Sequence, residues 1–96
     1  MQSCKITWSV EALNDLEDYI DWYLQNANEA VATELIQVVE DAIETIRNNN
    51  YIARMVDEIP ELREYVVQKF PYIISYWIKD QSNVVVTAFL HQNMKK

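Results

Sequence analysis

The sequence predicts an α+β domain of order β-α-α-β-β-β, an antiparallel helix hairpin packed on a small, mainly antiparallel sheet. Three observations predict it. Hydrophobic residues recur every three or four positions through the first half of the chain, and they switch to alternate positions after Pro60. Polar clusters, Asn26-Ala27-Asn28 and Asn48 to Asn50, punctuate the helical stretch. With 96 residues, half of them hydrophobic, the chain is expected to form a single domain over 1–96 with enough apolar content to close a core.

Each element has its own signal. Lys5-Ile6-Thr7-Trp8 is a short β-type run ended by Ser9, whose hydroxyl can accept from an orphan N–H of a following helix. Leu13, Leu16, Ile20 and Tyr23 then form one stripe while Asn14, Glu17, Asp18 and Asp21 face water, which predicts a helix over 10–25. After the break, Ala32, Leu35, Ile36, Val39, Ala42, Ile43 and Ile46 predict a second helix running to Arg47, ended by asparagines that tolerate a left-handed cap in a chain without glycine. The segments 62–69, 72–79 and 83–91 are rich in Val, Ile, Tyr and Trp and read as a meander. Even-numbered residues of its last two strands, Tyr72 to Ile78 and Val84 to Leu90, are expected to pack on the helices. Ser75, Trp77, Lys79, Thr87 and His91 are then expected on an open, partly apolar face, where a partner or substrate site is placed.

Composition excludes several functions. A net charge of −7 opposes coating of DNA or RNA, and the charge is uneven: residues 1–50 hold ten acids and two bases, residues 51–96 five acids and six bases. One cysteine, Cys4, allows no internal disulfide and no Cys cluster, so neither metal nor cofactor is expected and reducing cytoplasm fits best. The absence of glycine removes Gly-rich phosphate loops. The start of the chain has no apolar core of a signal peptide, and its longest apolar stretch, Val84 to Leu90 with Thr87 inside, is far short of the ~20 residues of a membrane span. Glu11, Asp15, Glu17, Asp18 and Asp21 are spaced like a carboxylate site but lie on the watery side of a helix without a His companion, and read as a solvated face.

With that order in place, Ile6-Thr7-Trp8-Ser9-x-x-Ala12-x-x-Asp15-Leu16, the helix Ala30-x-Ala32-x-x-Leu35-Ile36 through Ala42-Ile43-x-x-Ile46, and Leu62-Arg63-Glu64, Pro71-Tyr72-x-Ile74-x-Tyr76 and Leu90-His91-Gln92 resemble the RelE/ParE toxin superfamily of type II toxin–antitoxin modules. The likeness covers nearly the whole chain and implies fold more firmly than activity. It implies a cytoplasmic toxin of a plasmid-stabilization type, neutralised by a cognate antitoxin, and allows a homodimer or a heterotetramer with that antitoxin. The RelE-like branch cleaves mRNA on the ribosome; the ParE-like branch inhibits DNA gyrase by binding it. A toxin-fold protein that retains only antitoxin binding is a third reading.

Departures separate the branches. Where the superfamily's second-strand pattern places two arginines this chain has Ile73 and Trp77, and where a closing arginine is expected it has Met94. Lys79, Lys95 or Lys96 could stand in, but a lysine does not reproduce a bidentate guanidinium on phosphate. The resemblance is therefore more ParE-like than RelE-like, and the reading leans away from an enzyme. No catalytic residue is singled out; an RNase would draw on Arg54, Arg63, Lys79 and His91. Candidate target contacts are Arg54, Arg63, Trp77, His91, Lys95 and Lys96. Asn50 and Ala53 replace a proline and a glycine of the superfamily pattern, so the loop carrying Arg54 is expected to take its own shape. His91 is either a general base or a strand-end histidine bonded to a carbonyl, and Arg63 either a target contact or the surface partner of Glu61, Glu64 or a facing strand residue. Arg54 is either a binding residue or solvated. Trp77 is the best anchor, while Tyr72 and Tyr76 belong to the core.

Overall fold

The structure, a computed structural model, describes residues 4–92. The elements are β1 (Lys5–Trp8), α1 (Val10–Asn26), α2 (Glu29–Asn48), β2 (Arg54–Val56), β3 (Ile59–Val66), β4 (Tyr72–Asp80) and β5 (Asn83–His91). They form the expected helix hairpin on one five-stranded sheet of order β1-β5-β4-β3-β2, with β1 parallel to β5 and the other pairs antiparallel.

The caps follow from the sequence. Ser9 Oγ accepts from the Ala12 N–H at 3.1 Å and Asn28 Oδ1 from the Val31 N–H at 2.9 Å, each satisfying a donor that a helix start leaves open. The end of α2 differs from expectation: Asn49 is extended, with φ −153°, and its N–H bonds the Thr45 and Ile46 carbonyls. Positive φ occurs instead at Asp57 (54°), Glu58 (58°) and Lys69 (71°). Asp57 and Glu58 form the two-residue turn between β2 and β3, where a twisted hairpin requires positive φ at both central positions. This hairpin adds β2, a strand in the stretch where the sequence pattern predicts a loop carrying Arg54. Likewise β3 lies three residues earlier than expected, because Lys69 turns the chain before Pro71.

The core lies between the hairpin and one face of the sheet. Ala12, Leu35 and Ile46 from the helices meet Ile74, Tyr76, Ile78, Val84, Val86 and Phe89. One expectation is overturned here. Ser75 pairs with Ala88 but Tyr76 pairs with Val86, so Thr87 is an extra residue in β5. This bulge is stitched by Ser9, whose N–H bonds the Val86 carbonyl at 2.9 Å and whose Oγ donates to the Thr87 carbonyl at 3.3 Å; Thr87 Oγ1 in turn donates to the Ser75 carbonyl at 3.2 Å. Because side chains alternate, one extra residue inverts the parity beyond it. Phe89 and His91 therefore face the helix side, and Ala88 and Leu90 the open side, the reverse of the sequence assignment.

Candidate functional site

Directly paired residues share a face, so the register writes out the open side of the sheet in rows. Val66, Ile73 and Leu90 form one row; Arg54, Glu64, Ser75 and Ala88 the next; Leu62, Trp77, Val85 and Thr7 a third. Among the described residues no helix covers this side. Val66 is 49% exposed and Trp77 40%, giving an apolar surface with a single aromatic anchor. In its middle row the Glu64 carboxylate, only 7% exposed, accepts from Arg54 Nη2 at 3.1 Å, so the guanidinium roofs the buried acid. Sequence reasoning offered Glu64 to Arg63 and missed this pair, because Arg54 and Glu64 become neighbours only once the β2–β3 hairpin closes.

Arg63 is elsewhere. It pairs with Tyr76 and so lies on the helix side, where Nε donates to the Pro60 carbonyl at 2.7 Å and Nη1 to the carbonyls of Ala53 and Tyr51 at 2.9 and 3.3 Å. Its guanidinium carbon also sits 4.9 Å from the centre of the Tyr51 ring. Tyr76 completes this anchor by donating to the Asn50 carbonyl at 2.7 Å, with burial pushing its phenol up to about 12. Together the two side chains hold the segment from Asn50 to Ala53, which lacks the proline and glycine of the superfamily pattern. Arg63 is thus engaged by the fold.

The four residues an RNase would need do not converge. Arg54 is on the open face in its ion pair; Arg63 is on the opposite side. His91 pairs with Tyr72 at one end of β4, edge-on to its ring at 5.4 Å, and faces the helix side. Lys79 lies at the other end of β4, about 23 Å away along a strand rising ~3.3 Å per residue. No scissile phosphate can touch both. Met94, Lys95 and Lys96 lie outside the described residues. Among the described residues no group of three or more His, Cys, Asp or Glu could hold a metal ion, and no helix is long and apolar enough to cross a membrane.

A second apolar concavity of about 520 Å³ lies between the helices, floored by Leu16, Ile20 and Ile43 and edged by Glu17, Glu40 and Glu44. Helix residues expected to be buried, Leu13 and Ile36 among them, are open to solvent here.

Comparison with known proteins gives this geometry a family. The sequence model of the ParE toxin of the type II toxin–antitoxin system parDE matches residues 6–96. The chain belongs to the ParE toxin family. Among solved structures it is similar to a chain of the chromosomal ParDE TA system from P. aeruginosa, with a TM-score of 0.77 and 17% identity, covering 93% of this chain and 96% of that one. That likeness is one of fold. No curated protein sequence matches.

Proposed function

We propose that this ParE-family toxin acts in the cytoplasm by binding DNA gyrase through protein–protein contact, with no chemistry of its own, and that a cognate antitoxin neutralises it by covering its apolar surface. The observation that carries the reading is the dispersal of Arg54, Arg63, Lys79 and His91 over two faces and both ends of the sheet. Phosphoryl chemistry on RNA needs a base and several cations within reach of one phosphate. A net charge of −7 adds repulsion toward nucleic acid instead of the attraction a ribosome-bound cleavage requires. The open face supports the binding reading, since Trp77, Val66 and Leu62 form an apolar surface with one ion pair in its middle row, suited to an extended or helical protein segment. An antitoxin partner is in keeping with the family and with the similar P. aeruginosa structure, which is of a chromosomal ParDE TA system.

Purified protein tests this with gyrase supercoiling. Wild type and His91→Ala are expected to inhibit alike, while Trp77→Ala loses inhibition at least about tenfold with its fold intact, the loss of one interface anchor. Full gyrase activity at saturating wild-type protein would overturn the reading.

A further inference from the structure

On the helix side, at the end of the sheet remote from Lys79, a hollow of about 370 Å³ is lined by Asp18, Tyr19, Trp22, Tyr23, Tyr72 and His91. Five of its six walls are aromatic rings, several set at steep angles to one another. Trp22 meets Tyr23 at 89° with centroids 5.1 Å apart, Tyr19 meets Tyr72 at 52° and 4.6 Å, and Tyr72 meets His91 at 89°. Tyr72 is itself stacked on Phe89 and Phe70 at 25°, so the exposed Trp22 ring is the face left to a ligand, and an aromatic face attracts a cation. Tyr72 is held in place by stacking on Phe89 at 5.0 Å and by donating its O–H to Tyr23 Oη at 3.2 Å. Trp22 is 55% exposed, more than a packing residue of its size needs to be.

The charge around the hollow points the same way. Its α1 wall belongs to a helix with Glu11, Asp15, Glu17, Asp18 and Asp21 and no Lys or Arg, and no basic residue in the last turn answers the negative end of the helix dipole. Among the described residues no Lys or Arg forms an ion pair with Asp18. Oxygen acceptors are present as well: the Asp18 carboxylate and the phenol oxygens of Tyr23 and Tyr72. We infer that this aromatic hollow receives the arginine side chain of a protein partner, its guanidinium against the rings and its N–H groups on Asp18 and a phenol oxygen. Arginine suits this lining better than a quaternary ammonium, which has no donors for those oxygens. The site is on the side of the sheet away from Trp77 and needs neither gyrase nor toxicity.

The test uses the intact chain and three probes, the capped N-acetyl-arginine amide, its uncharged counterpart N-acetyl-citrulline amide, and tetramethylammonium, followed by ¹H–¹⁵N NMR. Arginine is expected to shift the Trp22 indole N–H and the amides of Asp18 to Tyr23 and of Tyr72 saturably, with citrulline at least about tenfold weaker and tetramethylammonium weaker than arginine. Asp18→Asn and Trp22→Ala are each expected to weaken arginine about five- to tenfold. Both side chains are exposed, so circular dichroism should be unchanged; if Trp22→Ala fails to fold, Asp18→Asn carries the test alone. A capped pentapeptide with one arginine among alanines is expected to bind at least as well as the free probe. Equal binding of citrulline, tighter binding of tetramethylammonium, exclusion of the pentapeptide, or no saturable shift at these residues would each overturn the assignment.

Discussion

Tyr76 and Trp77 are neighbours in β4 and face opposite ways. Tyr76 is fully buried with its hydroxyl on the Asn50 carbonyl, whereas Trp77 stands in the open between Leu62 and Val85. The same division runs through the polar residues. On the helix side Arg63 and Tyr76 are engaged with backbone carbonyls and Tyr72 with the Tyr23 hydroxyl. On the open side Arg54 is mostly solvent-exposed above Glu64. The contrast shows Arg63 and Tyr76 on the helix side spent on holding the fold together, while the open side presents shape and apolar area.

Substitution sharpens that division most where it is steepest. Tyr76→Ala is expected to destabilise by about 3–5 kcal/mol, and Trp77→Ala by less than about 1 kcal/mol, in denaturant unfolding. Similar losses from the two would erase the distinction between faces. The arginines come next. Arg63→Ala removes the donor from three carbonyls and is expected to cost about 2 kcal/mol, not restored by lysine, while Arg54→Ala leaves Glu64 for water to reach and costs about 1 kcal/mol.

High pH acts on the helix side through its buried phenols. The Tyr76 phenol is pushed up to about 12, first by burial, and Tyr72 is raised in the same direction by burial and by its hydrogen bond to Tyr23. A phenol kept neutral in the fold contributes stability that is whole below the ordinary tyrosine value near 10 and is lost as pH rises through about 12. Unfolding free energy measured from pH 8 to 12 should therefore fall from about pH 10 upward, with a shallower fall in Tyr76→Phe. The smallest effect is a gain: Glu58→Gly, relieving a positive φ of 58°, is expected to stabilise by about 0.5–1 kcal/mol in thermal unfolding.

Much of the fold was legible because its signals are local. Ser9 and Asn28 announce the helices by chemistry that reaches only three residues, and strand alternation in β4 assigns both Tyr76 and Trp77 to their faces. What escaped depends on partners distant in sequence. The Thr87 bulge carries no glycine or proline to mark it and is fixed by Ser9, some eighty residues earlier, so the positions of Phe89 and His91 were inverted. Strand β2 is three residues long and closes on Asp57-Glu58, a pair without the usual asparagine–glycine signature. The fate of Arg63 depends on backbone carbonyls, which no side-chain pattern encodes.

Binding without cleavage is the central claim, and pulse-labelling tests it most directly: the protein is induced without an antitoxin, and thymidine and methionine incorporation are followed over the first minutes, with His91→Ala alongside. DNA synthesis is expected to fall first, with translation persisting and the variant acting like wild type. Translation stopping first, and recovering in His91→Ala, would contradict it.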